Sequence, residues 1–412
     1  MSEQFSRIQS YIESHVPDMA ELESLLTRHK ALAPENGGDG ESEKCAALEQ
    51  WLAAHGITDL KHYDAPDARV SSGVRPNLVA TVPGIDDSER VWVCAHLDVV
   101  PAGEESLWES DPWTAVEKDG KMYGRGTEDN QQGLASGVLA ALAFVRQEIQ
   151  PRRTLKLLFM ADEEVGSAYG MNFLLEKHSP LFSKSDRILI PDGGDPQGRT
   201  IEIAEKGILW LKFRVKGTQA HGSRPDQGCN AMTASCDLAL RIHALSDVFS
   251  RKDSLFEPSC STFEPTMRLQ NVSGVNIIPG EDVFCADCRI LPCYSLDEVR
   301  QKVREAASKT EKAYGVTVDV SELQAECASE TPRESAVAQE LAQSLKAVHG
   351  LDARFIGIGG GTVAAGLRRR GLDAVVWSSM DSCAHQPNEY AVLKNISRDA
   401  ATIACMAWKA YS

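Results

Sequence analysis

Apolar runs of strand length recur through the first two hundred residues, each followed by a segment of helical periodicity. No other property of the chain restricts its fold as much. VWVCAHLDVV (91–100), TLKLLFMAD (154–162) and RILIPDGG (187–194) are nearly continuous hydrophobic runs, separated by helical stretches at 131–148 and 170–177. Strands that lack polar alternation are buried on both faces, as they are in a parallel sheet packed between helices. The predicted fold is therefore α/β, a mainly parallel sheet with helices on both faces.

The texture changes near residue 207. ILWLKFRVKG (208–217), CSTFEPTMRLQ (260–270) and EDVFCADCRIL (281–291) are strand-like, and helices are expected at 230–245 and 296–314. This order predicts a smaller α+β domain ending near VTVDVSEL (316–323). Helix and strand alternation then returns in ESAVAQELAQSLKAVHG, RFIGIGGG, TVAAGLRRRG and LDAVVWSS, before a last helix from about 393. A chain of 412 residues exceeds what one core usually holds. The expected organisation is one larger domain in two pieces, 1–206 and 323–412, interrupted by an inserted domain over 207–322.

Net charge narrows the partners. A formal charge of −16 and a pI near 5.2 argue against a nucleic-acid or anionic-membrane partner and favour a small molecule or peptide. MSEQFSRIQSYIESHVPDMAEL reads as an amphipathic helix interrupted near Pro17, without the basic-then-apolar pattern of a signal peptide. GLASGVLAALAFV (133–145) is too short to span a bilayer. The 11 cysteines are an odd, scattered set that suits reduced thiols, so a cytoplasmic location is expected. Cys285 and Cys288 have CxxC spacing, but residues three apart on a strand point to opposite faces, which disfavours a metal or redox role.

In open α/β sheets, ligands sit beyond the carboxyl ends of the strands. Those ends carry His96 and Asp98 after VWVCA, Asp162, Glu163 and Glu164 after LKLLFMA, and Asp192 after ILIP. Asp129 lies in the turn YGRGTEDNQQG, and His385 follows the strand DAVVWSS. Each has an ordinary explanation alone: paired glutamates suit the first turn of a helix, Asp98 and Asp192 suit turns, and His385 suits a surface loop. Together, two imidazoles and several carboxylates on one sheet edge form the ligand set of zinc or a similar divalent ion.

AHLDVVP (95–101), YGRGTEDNQQG (123–133), ADEEVGS (161–167), GTQAHGSRP (217–225) and AHQPNEY (384–390) resemble, in order, the signature set of metallopeptidase family M20. That family includes acetylornithine deacetylase, succinyl-diaminopimelate desuccinylase, aminoacylases and dipeptidases. The resemblance implies two metal ions per chain, zinc first and cobalt or manganese as alternatives. His96, Asp129 and Asp192 would hold one, and Asp129, Glu164 and His385 the other, with Asp129 bridging. Asp98 would orient His96, and Glu163 would be the general base for attack of a metal-bridging hydroxide on an amide. The inserted domain would be a lid and dimerisation domain, with His221 reaching the other subunit of a homodimer to stabilise the oxyanion. Asn276 and Arg289 resemble residues that bind the substrate's carboxylate end, and Gly360, Gly361 and Thr362 would line the pocket. The substrate would be an N-acyl amino acid or a short peptide.

Two departures stand out. Where many relatives have GRGxxDxKG, this chain has Gln131 and Gln132 in place of the lysine and one more residue before Gly133. Asp195 is close enough in PDGGD to compete with Asp192 as a ligand. Two rival readings remain. GIGGGTVAAGL (357–367) satisfies a degenerate GxGxxA pattern, with Asp381 about twenty residues on, as in nucleotide-binding oxidoreductases. A non-catalytic binding protein on the same fold is the other, against which Glu163 argues.

Overall fold

The computed structural model describes residues 2–410. The chain divides into two units, one formed by the residues up to Ile203, Thr331–Phe355 and the residues from Thr362 on, the other by Ala204–Glu330 and Ile356–Gly361. The sequence-based boundaries at 206/207 and 322/323 compare with 203/204 and 330/331 here, and the short return at 356–361 was not foreseen.

The first unit begins with α1 (Glu3–Ser14) and α2 (Val16–Thr27). Ser2 caps α1 by accepting from Phe5 N, and Phe5, Ile8 and Ile12 form its buried stripe. Pro17 lies in the first turn of α2, where a missing N–H goes unnoticed, so the interruption is a change of helix at His15.

The nine-stranded sheet of this unit includes β1 (Leu60–His62), β2 (Leu78–Val82), β3 (Asp86–His96), β4 (Arg153–Met160), β5 (Arg187–Asp195), β6 (Thr200–Glu205) and β7 (Ala374–Ser379). Their spatial order is β1-β2-β4-β3-β5-β7-β6. The central pairs β4/β3, β3/β5 and β5/β7 are parallel, and the outer pairs are antiparallel. On one face Trp92, Cys94, Leu158, Ile188 and Val376 pack with α4 (Met171–Lys177) and the helix Val363–Arg369. On the other, α3 (Gly133–Arg146) is buried from Gly133 to Phe144, which accounts for its apolar character all round. Gly133 packs so closely that a Cβ would sit 2.4 Å from Pro191 O, immediately before Asp192.

The parallel centre brings four chain segments to one edge. His96 ends β3, Asp192 lies near the end of β5, and the segment 380–390 follows β7. After β4 the chain turns through Asp162 at φ 69°, an uncommon left-handed conformation for a non-glycine residue, into Glu163 and Glu164.

The second unit has a four-stranded antiparallel sheet in the order Thr262–Arg268, Glu281–Ile290, Gly207–Lys216, Thr317–Glu326. Leu209, Leu211, Phe213 and Val215 alternate inward against the helices Ala231–His243 and Leu296–Tyr314. Phe213 and Phe284 stack at 4.7 Å in its core. Cys288 joins that core whereas Cys285 does not, as alternation on a strand requires. No helix among the described residues is long and apolar enough to cross a membrane.

The Asp162 turn is anchored by charge. Fully buried Arg75 donates to both oxygens of Glu41 and faces Asp162 Oδ1 at 3.0 Å, while Asp162 Oδ2 accepts from Tyr169 N at 3.0 Å. Removing one partner of a buried ion pair leaves the other charge uncompensated and costs about 3–5 kcal/mol. Arg75→Met is accordingly expected to lower the free energy of unfolding by about 3 kcal/mol or more, read from urea denaturation. A loss below about 1 kcal/mol would show that Glu41 and Asp162 do not depend on this counter-charge.

Candidate metal centre

Asp129 stands at the middle of the edge. Its Oδ1 lies 2.8 Å from His96 Nε2, and its Oδ2 lies 3.0 Å from His385 Nε2. His385 Nε2 is also 3.1 Å from Glu164 Oε2, and His96 Nε2 is 3.9 Å from Asp192 Oδ2. The two oxygens of one carboxylate thus face two separate groups, His96 with Asp192 and His385 with Glu164. Among the described residues, His96, Asp129 and Glu164, and likewise His96, Glu163 and Asp192, bring ligand atoms within 4.8 Å of one another.

The donors are held from behind. His96 Nδ1 donates to Asp98 O at 3.0 Å and lies 3.4 Å from Asp98 Oδ1, which fixes the ring and turns Nε2 toward Asp129. The Asp98 carboxylate also accepts from Glu163 N (3.0 Å) and Glu164 N (2.9 Å). One buried carboxylate therefore sets a histidine and both glutamates, a role wider than the sequence suggested. Asn130 joins Asp192 to the cluster, with Nδ2 donating to Pro191 O (2.7 Å) and Asp192 Oδ1 (3.2 Å). Asp195 instead accepts from Gln197 N at 2.8 Å and Arg199 N at 3.4 Å, as a turn former does, so the geometry supports Asp192 as the ligand.

The electrostatics of the cluster follow from burial and close charges. Burial, with Asp98 and Glu164 adding repulsion and His96 opposing it, pushes the Glu163 carboxyl up to about 8. Burial and the Asp129 charge likewise raise Asp192 well above the usual carboxylate range. Burial alone would raise Asp129 too, but hydrogen bonds from His385 and His96 outweigh it and hold this carboxyl down. Hydrogen bonds to Asp129 and Glu164 lift His385 to about 10, against a smaller effect of burial. Carboxylates crowded at this density, with imidazole nitrogens directed at them, form an oxygen-and-nitrogen donor set that fits divalent metal ions.

Sequence reasoning missed the residues that clamp the two loops. Buried Glu389 accepts from Glu128 N and Asp129 N at 3.0 Å each, from Gly126 N at 3.0 Å and from Arg125 Nη1 at 2.6 Å. Glu128 in turn accepts from backbone amides of the segment leading to His385. The unusual glutamines are buried and structural. Gln132 Nε2 donates to Ser379 O (2.6 Å) and its Oε1 accepts from Val392 N (2.9 Å). Gln131 spans Thr27 Oγ1 and Lys44 Nζ, each 3.1 Å from its amide. An acid directly beside Asp129 is the one mark of Glu128 that the sequence carries.

The remaining expected residues lie in or near the second unit. His221 is exposed, and its Nδ1 accepts from Ser223 N at 3.2 Å. A backbone amide can only donate, so the neutral ring carries its proton on Nε2. Asn276 is its neighbour, with Asn276 O accepting from Gly222 N at 2.7 Å. The Arg289 fork is occupied, donating to Asp287 at 2.7 and 2.9 Å and to Gly359 O at 2.7 Å. Of the glycine-rich stretch, Gly360 and Gly361 belong to the second unit, while Thr362 caps the seven-residue helix Val363–Arg369 by accepting from Ala364 N.

Comparison with known proteins agrees with this edge. The model of the family described as peptidase family M20/M25/M40 matches residues 92–409. The chain is 37% identical to an uncharacterized metallohydrolase of Methanocaldococcus jannaschii, over 93% of this chain and 97% of that protein. It is 26% identical to succinyl-diaminopimelate desuccinylase of Paracoccus denitrificans, over 74% of this chain and 77% of that one. The crystal structure of the aminopeptidase PepT from Bacillus cereus has the same fold, with a TM-score of 0.77 at 18% identity, covering 98% of this chain and 99% of the other. The family match spans β3 through the last helix and so takes in every residue of the cluster, which does not favour the nucleotide-binding reading of the glycine-rich stretch. The chain belongs to the M20/M25/M40 peptidases, and is a hydrolase of amide or peptide bonds.

Proposed function

We propose that the chain is a dinuclear metal-dependent amidohydrolase acting on an N-acyl amino acid or a di- or tripeptide. The observation that carries this reading is the split of Asp129, with Oδ1 toward His96 and Oδ2 toward His385. His96, Asp129 and Asp192 would hold one ion and Asp129, Glu164 and His385 the other. Nitrogen and carboxylate donors make zinc the first candidate, with cobalt and manganese compatible. When bound, such ions polarise a carbonyl and make a water more acidic.

The protein's own groups do the rest. Glu163, its backbone held by Asp98 and its carboxylate beside His96 and Asp192, takes the proton of the attacking water and passes it to the leaving nitrogen. Asp98 keeps His96 in one tautomer and one orientation. His221 presents an Nε2–H that can donate to a developing oxyanion. Because it lies in a unit with none of the metal candidates, we assign it to the partner's site in a homodimer. Asn276 and Arg289, with Gly360, Gly361 and Thr362, are assigned to substrate binding. Arg289 would do so through the N–H groups left over from Asp287 and Gly359. The free cysteines support a cytoplasmic location.

Metal-reconstituted protein should hold close to two equivalents of zinc, cobalt or manganese by elemental analysis; protein that binds no ion tightly would remove the basis of the proposal. Glu163→Gln is expected to keep both ions while turnover of N-acyl amino acids or dipeptides falls about 100-fold or more, since an amide accepts no proton. Turnover near that of the unaltered enzyme would reassign the base. Loss of one oxyanion donor costs about 100- to 1000-fold, so His221→Ala should be similarly inactive. Mixing Glu163→Gln with His221→Ala under subunit exchange should restore activity, because some mixed dimers then contain one complete site. Exchange without recovery would place His221 in its own chain's site or outside catalysis.

A further inference from the structure

Glu128 immediately precedes the bridging aspartate, yet its side chain points away to another loop. It is buried, and each of its oxygens accepts two backbone amides. Oε1 takes Asp381 N (2.7 Å) and Ser382 N (3.0 Å), and Oε2 takes Cys383 N (2.5 Å) and Ala384 N (2.8 Å). Consecutive amides converging on one point form a concavity suited to an anion, and here the anion is a side chain of the protein. The next residue along is His385.

The loop has contacts of its own, Gln386 N donating to Cys383 O and Tyr390 Oη to Asp381 Oδ2, but its backbone is also strained. Ser382, His385 and Asn388 all have left-handed backbones, with φ of 61°, 63° and 60°. The return contact runs the other way: Glu389, four residues after His385, accepts from Gly126 N, Glu128 N and Asp129 N. Each loop thus contributes one glutamate that gathers the other's amides.

We infer that Glu128 is a positioning residue for His385: through the amides of Asp381–Ala384 it sets the distance between that imidazole and Asp129, and thereby the affinity for the ion at His385 and Glu164. This rests on the dinuclear reading above. Asp129 serves as bridge and Glu128 as clasp, so one dipeptide ties the bridging carboxylate to a ligand some 256 residues away in sequence. Glutamine cannot replace it, because an amide has one acceptor oxygen and its NH2 would face two N–H donors. A shortened side chain, as in Glu128→Asp, keeps the charge but loses reach.

The test separates the clasp from the metal centre. Hydrogen exchange of the metal-free protein should show slow amides at 381–384 in the unaltered chain and fast ones in Glu128→Gln, with the central strands unchanged. Titration with zinc should show two ions bound by the unaltered protein, and in Glu128→Gln one ion retained and the other weakened about 10- to 100-fold, the usual effect of removing a group that orients a ligand. Glu128→Asp should fall between the two, and carries both measurements if Glu128→Gln does not fold. If the unaltered protein binds two ions and the variants match it in stoichiometry and affinity, the inference is overturned while the dinuclear reading stands. If the unaltered protein binds fewer than two, the dinuclear reading fails first, and unchanged exchange at 381–384 would dispose of the clasp independently.

Discussion

A buried carboxylate with an imidazole at each oxygen stays ionised because those hydrogen bonds outweigh burial. Asp129 is such a group, with His96 at one oxygen and His385 at the other. Its own amide donates to Glu389, which is itself neutralised by Arg125. His96 arrives at the end of a central parallel strand, and His385 on the loop after another. The parallel sheet is what makes the meeting possible: strands running the same way deliver their carboxyl ends, and the side chains that follow them, to one edge.

Three layers of charge surround that point. Nearest are Glu163, Glu164 and Asp192; burial, with repulsion from Asp98 and Glu164 for Glu163 and from Asp129 for Asp192, raises Glu163 and Asp192. Behind them Asp98 is spent on His96 and on the two glutamate amides. Further back, Arg75 ties the Asp162 turn to Glu41. Asp98 answers its neighbours with hydrogen bonds and Arg75 with ion pairs, while Glu164 faces His385, Asp192 accepts from Asn130, and Glu163 is crowded by Asp98 and Glu164. Buried like charges are costly unless a cation compensates them.

The architecture and the inner layer were legible in the sequence because both leave local marks. Apolar runs without alternation report strands buried on two faces, and the side chains following them report the edge. Residue 296 to residue 314 was read as a helix and is one, since Ser295 and Glu298 form a capping box and Gly315 ends it in a left-handed turn. The clasp was not legible. Glu128 and the amides of 381–384 are distant in sequence, and backbone N–H groups carry no residue signature. Gln131 and Gln132 looked like an electrostatic departure from the family pattern, but their contacts are structural, to Thr27, Lys44, Ser379 and Val392. Arg289, expected at the substrate's carboxylate end, also pairs with Asp287, only two residues away.

The division into two units assigns different constraints to different parts of the chain. The sheet unit fixes its clustered His and carboxylate groups with buried carboxylates that each accept several amides, as Asp98, Glu128 and Glu389 do. The second unit has its own core around Phe213 and Phe284 and presents His221 on an exposed turn. There the requirement is tautomeric rather than metric: a backbone amide at Nδ1 commits the proton to Nε2 whatever the ring faces. A donor fixed in this way needs no buried network behind it. The bland surroundings of His221 are therefore consistent with its proposed role, and the dense surroundings of Asp129 with its own.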